Sequence, residues 1–338
     1  MNILAIETSC DETAAAVLDS DRRILGSVVL SQDKIHAPYG GVVPELASRN
    51  HLQSIGHVVR DTLRRASLTV ESVDAFAVTQ GPGLIGSLLV GLSFAKGLAY
   101  YFQKPLVGVD HLEAHIEAAF LEGPAVTFPA LALVVSGGHT SLFLLKKRLS
   151  FRLLGRTRDD AAGEALDKIA KFLGLGYPGG PIVQKLGASG DPKKFAFALP
   201  RMKDDSLDFS FSGLKTAALR WIGEAGLTAR HPRLPDFLAS FEAAVVRALL
   251  EKLARGADQF KPASLLLCGG VARNSRLRAA FEAFARTEGY EGHIPSPEFC
   301  TDNAAMVGAL ALEKLKVPKR PRLDLELDAY PRFILSRA

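Results

Sequence analysis

The sequence predicts an α/β protein built twice over, two related domains with a ligand cleft between them. Strands alternate with helices along the whole chain, the pattern of an α/β fold. The order strand, polar loop, strand, hairpin, strand occurs at the N-terminus and again about 120 residues later, although no residue-level repeat is visible. Glycine and proline cluster at 123–129 (GPAVTFP) between the copies. The expected domains are therefore 1–125 and 126–301, with 302–338 packing back on the first.

In the first copy, NILAIET (2–8) is a strand, SCDET a polar turn, AAAVLD (14–19) a second strand, SDRR a hairpin and ILGSVVLS (24–31) a third. A helix follows over 44–67, started by Pro44, whose missing N–H would have had no partner in a first turn. AFAVT (75–79) and LVGV (106–109) are strands flanking the helix 84–102. That helix is the most apolar run, but Lys96 and its glycines make it a buried helix and not a membrane span. In the second copy the strands are 130–136, 141–147 and 150–157. Helices follow at 160–173, 178–188, 212–223 and 235–257, then the apolar strand 264–268 and helices at 274–286 and 302–315.

With 48% hydrophobic and 23% charged residues in 338, the chain has the composition of a soluble globular protein. MNILAIETSCDET has no basic segment before its apolar run, so no signal peptide is expected. Cys10, Cys268 and Cys300 are odd in number and far apart, which argues for buried thiols in a reducing cytoplasm. The formal charge of +5 hints at a polyanionic partner. Lys146, Lys147, Arg148 and the KLKVPKRPR stretch (314–322) are candidate contacts for it, although solvated surface is the safer reading of each.

Four stretches have the residues to hold a nucleotide. ETSCDET (7–13) offers amides, the hydroxyls of Thr8, Ser9 and Thr13, and two carboxylates, Asp11 and Glu12, to face a reacting centre. VVSGGHT (134–140) ends a strand in paired glycines, Gly137 and Gly138, whose N–H groups can gather round an anion. LLLCGGVARNS (265–275) puts two glycines and Asn274 before a helix start. DDAAGEALDKIAKFLGLGYPGGP (159–181) sets Asp167 on an amphipathic helix ahead of Gly179 and Gly180. Repeated three-stranded meanders of this kind resemble the architecture of actin, sugar kinases and heat-shock-70 proteins, a duplicated actin-like (ribonuclease H-like) fold.

VDHLEAHI (109–116) raises a different chemistry. His111 and His115, four apart, share one face of a helix and can reach one cation. A zinc peptidase would need its glutamate directly after the first histidine, and Leu112 stands there. Glu113 points about 200° round the helix from His111. CTDNAAM (300–306) supplies a third ligand, Asp302, and two histidines with one carboxylate suit iron or zinc.

Taken together, IETSCDET, KIHAPYGGVVPELASRNH (34–51), TQGPGLIGSLLVG (79–91), KPLVGVDHLEAHI, VSGGHT, the 159–181 stretch, FSFSGLKTA (209–217), GGVARN and TDNAAM occur in this order. The set resembles the bacterial tRNA adenosine threonylcarbamoyltransferase family over essentially the full chain. The resemblance implies a cytoplasmic acyltransferase that moves threonylcarbamoyl from threonylcarbamoyl-AMP to the exocyclic amine of the adenosine adjacent to the anticodon. The tRNAs concerned read codons beginning with A. It implies a metal, Fe2+ before Zn2+, on His111, His115 and Asp302. It also implies substrate contacts at Val134, Val135, Ser136, Gly137, Gly138, Asp167, Gly180 and Asn274. Implied partners are tRNA, a smaller inactive paralogue and a small ATPase, with no membrane. One departure is Gln184, where many members have an aspartate. The rival from another class is a non-catalytic nucleotide-binding scaffold of the same fold. A sugar kinase is disfavoured because His139 stands where its catalytic aspartate would be.

Overall fold

A computed structural model describes residues 1–122, 125–199, 204–317 and 323–332. The chain divides into two compact units, Met1–Glu122 with Thr301–Ala338, and Gly123–Cys300.

The first unit holds β1 (Asn2–Glu7), β2 (Glu12–Asp19), β3 (Ile24–Ser31), α1 (Asp33–His36), α2 (Pro44–Arg65), β4 (Ala75–Gly81), α3 (Ile85–Phe102), β5 (Leu106–Asp110) and α4 (His111–Ala118). The second holds β6 (Ala130–Val135), β7 (Thr140–Leu145), β8 (Phe151–Arg156), α5 (Ala162–Phe172), α6 (Gly179–Gly187), α7 (Ser212–Glu224), α8 (Leu234–Phe260), β9 (Ser264–Cys268), α9 (Ser275–Glu288), β10 (Glu291–His293) and α10 (Pro297–Cys300). α11 (Ala304–Leu315) returns to the first unit.

Each unit carries one five-stranded sheet, and the strand orders β3-β2-β1-β4-β5 and β8-β7-β6-β9-β10 are the same topology. In both, the first three strands form an antiparallel meander and the last two add in parallel. β1 and β2 are apolar almost throughout because the first sheet is covered on both faces. Leu4, Ile6, Ala15 and Val17 face Ile55, Val59, Leu92 and Ala95 from α2 and α3. On the other side α11 comes so close that a Cβ on Gly308 would lie 2.5 Å from Leu18 and 3.3 Å from Ala5. In the second unit Leu131, Leu133, Leu142 and Leu144 pack with Phe237, Phe241, Val245 and Leu249 of α8.

The structure departs from the sequence reading in several places. β2 begins at Glu12, paired with Ser31, so Glu12 lies on a strand end and Asp11 in the turn before it. α3 buries Ser87, Leu88, Gly91, Leu92, Ala95 and Ala99, but leaves Ile85, Leu89, Tyr100 and Tyr101 exposed, so it is a surface helix and not a buried one. Among the described residues α3 is the one helix long and apolar enough to cross a membrane, by length and composition only. β10 escaped notice because EGH has no apolar run and pairs only along β9. Residues 318–322 of the basic stretch lie outside the described residues.

Candidate metal centre and nucleotide-contacting loops

The first cluster is built by a cap. β5 ends at Asp110, whose Oδ1 accepts from the Leu112 and Glu113 amides at 2.9 and 3.0 Å, satisfying two donors at the start of α4. His111 and His115 thus sit one turn apart with ring centroids 4.6 Å apart. Asp302 stands just before α11, which Asn303 caps through its Oδ1 to the Met306 amide at 3.0 Å. Asp302 Oδ1 lies 3.6 Å from His111 Nε2 and 3.1 Å from His115 Nε2. One ligand atom from each of the three falls within 4.8 Å of the others, a group that could hold a metal ion.

Glu7, which the sequence reading missed, completes the surroundings. It ends β1 fully buried, and its Oε2 lies 3.1 Å from His111 Nδ1. Thr79 Oγ1 donates to Glu7 Oε2 at 2.6 Å and the Ser9 amide to Oε1 at 2.5 Å. The carboxylate holds the far nitrogen of His111, which leaves Nε2 aimed at Asp302 as a metal ligand would be. The one available signal was an acidic residue closing an otherwise apolar strand. Burial disfavours charge on His111, yet Asp302 and Glu7 outweigh it and raise its pKa to about 9. Burial likewise resists ionising Glu7, and His111 overcomes this to hold its carboxyl below the usual value. Buried Glu7 and half-buried Asp302 together favour a positive charge on His111. Glu113 turns away to Lys314, 3.5 Å distant.

Asp11, Glu12 and Asp33 form a second, wholly acidic group with ligand oxygens within 4.8 Å. Burial, then Asp302 and Asp11, push Glu12 well above the usual carboxylate range. Thr8, Ser9 and Thr13 were expected to offer hydroxyls to anionic oxygens, and this is corrected: all three are buried and engaged within the fold. Thr8 Oγ1 donates to the Ser87 carbonyl at 2.9 Å, Ser9 Oγ lies 3.2 Å from His111 Nδ1, and Thr13 Oγ1 lies 2.8 Å from His51 Nδ1. His51 Nε2, at the end of the KIHAPYGGVVPELASRNH stretch, donates to the Cys10 carbonyl at 2.9 Å, and the Gln32 amide just before that stretch donates to the Asp11 carbonyl at 3.0 Å, so both buttress this turn. Cys10 is half-buried, and burial, with Asp11 beside it, pushes its thiol well above its ordinary pKa.

In the second unit Val134 and Val135 are fully buried in β6, so only their backbone could meet a ligand. Ser136 closes the following turn, its Oγ accepting from the His139 amide at 3.1 Å. A Cβ on Gly137 or Gly138 would meet nothing within 4 Å, so both glycines border open space. At Gly163, by contrast, a Cβ would lie 2.6 Å from the Ser136 carbonyl oxygen, so α5 is packed against the turn. Asp167 Oδ1 accepts from the Gly179 and Gly180 amides at 2.7 and 3.3 Å, fixing the start of α6. Gly269, at φ 91°, has the Val135 carbonyl oxygen 2.4 Å from where a Cβ would stand, so this strand–helix turn requires glycine. Asn274 caps α9, its Oδ1 accepting from the Leu277 amide at 2.9 Å, while its Nδ2 donates to Glu242 at 2.6 Å. Glu242 also accepts from Arg276 Nε at 2.7 Å, a partner no sequence motif announced. Gln184 Oε1 accepts from the Ser275 amide at 2.8 Å. A cavity of about 570 Å³ opens here, lined by Gln184, Ala188, Glu242, Ser275, Arg276, Ala279 and Ala280.

The duplicated sheet topology has counterparts among solved structures. The chain superposes on HypF of T. kodakarensis with a TM-score of 0.62 at 14% identity, covering 93% of this chain and 48% of that one. Component A of the Acidaminococcus fermentans (R)-2-hydroxyglutaryl-CoA dehydratase gives 0.55 at 15% identity, covering 93% and 98%. These likenesses define the class, an actin-like α/β fold. The family model for TsaD, tRNA N6-adenosine threonylcarbamoyltransferase, matches residues 23–309. Proteins of that name from Anaeromyxobacter sp. (strain Fw109-5) and Moorella thermoacetica are 52% and 48% identical to it. The first alignment covers 97% of this chain and 98% of the relative, the second 99% and 97%. The chain belongs to the tRNA N6-adenosine threonylcarbamoyltransferase family, and it is a transferase.

Proposed function

We propose that the chain transfers a threonylcarbamoyl group from threonylcarbamoyl-AMP to the exocyclic amine of the adenosine adjacent to the anticodon, in tRNAs reading codons that begin with A. The observation that carries this is the His111–His115–Asp302 group within a chain about half identical to transferases of that name. Two imidazoles and a carboxylate, with Glu7 holding His111 from behind, fit a divalent ion such as iron or zinc, and the family resemblance puts Fe2+ ahead of Zn2+. When bound, the ion supplies Lewis-acid polarisation of donor oxygens.

In the reaction a bond forms between the adenine N6 and the carbamoyl carbon, the bond from that carbon to the phosphate oxygen breaks, and AMP leaves. N6 loses one proton. Glu12, with Asp11 beside it, receives or relays that proton, and burial together with Asp302 and Asp11 raises its proton affinity above that of a free carboxylate. Gly137 and Gly138 border open space, and their amides hold donor oxygens. Asp167, Gly180, Asn274 and Gln184 shape the nucleoside's place beside the 570 Å³ cavity. Adenine N6 is a poor nucleophile, so orientation and the activated donor supply most of the rate. The proposed partners are a smaller inactive paralogue and a small ATPase, and the proposed location is the cytoplasm.

Nucleoside analysis of tRNA from cells depleted of the protein tests this. Threonylcarbamoyladenosine should disappear while other modified adenosines persist; unchanged levels after complete depletion would refute it.

A further inference from the structure

The described C-terminal residues 323–332 run over the first unit, with Leu323, Leu327 and Ala329 packed on its core. The Tyr330 amide donates to the Gln80 carbonyl at 2.9 Å, and Gln80 Nε2 donates to the Asp328 carbonyl at 3.3 Å. A Cβ on Gly81 would lie 2.4 Å from the Tyr330 ring and 2.2 Å from its carbonyl oxygen. That glycine, at φ 152°, therefore lets the tyrosine lie directly on the end of β4. From there the Tyr330 hydroxyl donates to Asp110 Oδ2 at 2.7 Å. Asp110 is buried, and its other oxygen caps α4 through Leu112 and Glu113. The chain of contacts is continuous: tail, hydroxyl, cap, first turn of α4, imidazoles.

We infer that Tyr330 is a positioning residue for the candidate metal centre: through Asp110 it fixes the first turn of α4, aims His111 and His115 at Asp302, and couples docking of the C-terminal segment to metal affinity. This rests on the metal reading given above. A cap held from one side only can swing about its backbone, and each swing moves His111, the next residue, most. A hydroxyl bonded to the second oxygen removes that freedom before an ion arrives, and preorganised ligands bind more tightly. By linkage, whatever factor the docked segment adds to metal affinity, the metal adds to docking of the segment.

Tyr330→Phe keeps the ring on Gly81 and deletes only the hydroxyl. Competition of Zn2+ between the full-length protein and a fluorescent chelator gives the dissociation constant, and a melting curve on metal-free protein reports packing separately. The expected result is a dissociation constant raised about three- to tenfold, less than the roughly ten- to hundredfold found when a group bonded directly to a ligand is lost. A brace that served packing alone would lower the melting point and leave Zn2+ affinity unchanged within twofold, and that outcome overturns the inference. Should the variant not fold, hydrogen exchange of the wild type decides: Zn2+ must slow exchange at the Tyr330 amide, and equal rates with and without it refute the coupling. A His111→Ala, His115→Ala variant separates the two levels. If it holds Zn2+ as tightly as the wild type, the metal reading itself falls and the inference with it.

Discussion

Glu7 and Glu242 show how much single buried carboxylates organise. Glu7 holds one face of His111, and Glu242 ties Asn274 to Arg276. Removing Glu242 strands a guanidinium that is about one-third exposed, and frees the Asn274 amide. Glu242→Ala should therefore lower stability by about 2–3 kcal/mol in urea titrations, below the roughly 3–5 kcal/mol of breaking a fully buried pair because Arg276 keeps some water. The His111→Ala, His115→Ala variant should lose its metal in elemental analysis; full retention would place the ligands elsewhere. Asp160 supports a prediction about acid. Burial pushes its carboxyl up, but bonds from Lys168 and Lys215, both at 2.5 Å, outweigh that and hold it below the ordinary value. A depressed carboxylate contributes stability above its unfolded pKa of about 3.9, and that contribution is lost as pH falls through the lower folded value. Asp160→Asn should accordingly flatten the loss of stability below about pH 4, read from urea midpoints against pH.

At the scale of elements, the turns matter more than the helices they join. α5 touches the Ser136–Gly137 turn where Gly163 has no side chain. Gly163→Ala puts a Cβ into the Ser136 carbonyl and should push the turn away, costing about 1–3 kcal/mol and weakening AMP binding in calorimetry. Unchanged affinity with a shifted midpoint would separate the turn from nucleotide binding. Both meanders were legible because strands buried on two faces read as continuous apolar runs, NILAIE and ALALVV among them. The histidine spacing of α4 was legible for the same local reason, since residues four apart share a face. What could not be read was distance across the fold. Nothing in sequence brings Glu7 beside His111, Tyr330 beside Asp110 or Glu242 beside Asn274, because each contact depends on strand register or a returning segment. The hydroxyls of Thr8, Ser9 and Thr13 misled for the converse reason. Their composition suited a phosphate loop, but packing against α2, α3 and α4 consumed them.

At the scale of the molecule, one topology is used twice with different chemistry. The first unit concentrates carboxylates and imidazoles at the ends of β1, β5 and α11. The second offers glycine turns at the ends of β6 and β9 and a cavity of about 570 Å³ lined from α6, α8 and α9. Candidate metal ligands in one copy and glycine turns in the other suit the proposed acyl transfer from an adenylate, and directly after His111, where a peptidase needs its glutamate, stands buried Leu112. One assay addresses the reaction class directly. Threonylcarbamoyl-AMP labelled in its threonine is incubated with tRNA and the full-length protein, partners present, beside a casein cleavage assay. Label should enter tRNA with the wild type. It should fall by about a hundredfold with Glu12→Ala, the scale of a lost proton-transfer group, while AMP affinity holds and casein stays intact. Casein cleavage that vanishes with His111→Ala, and no label in tRNA with every partner supplied, would contradict it.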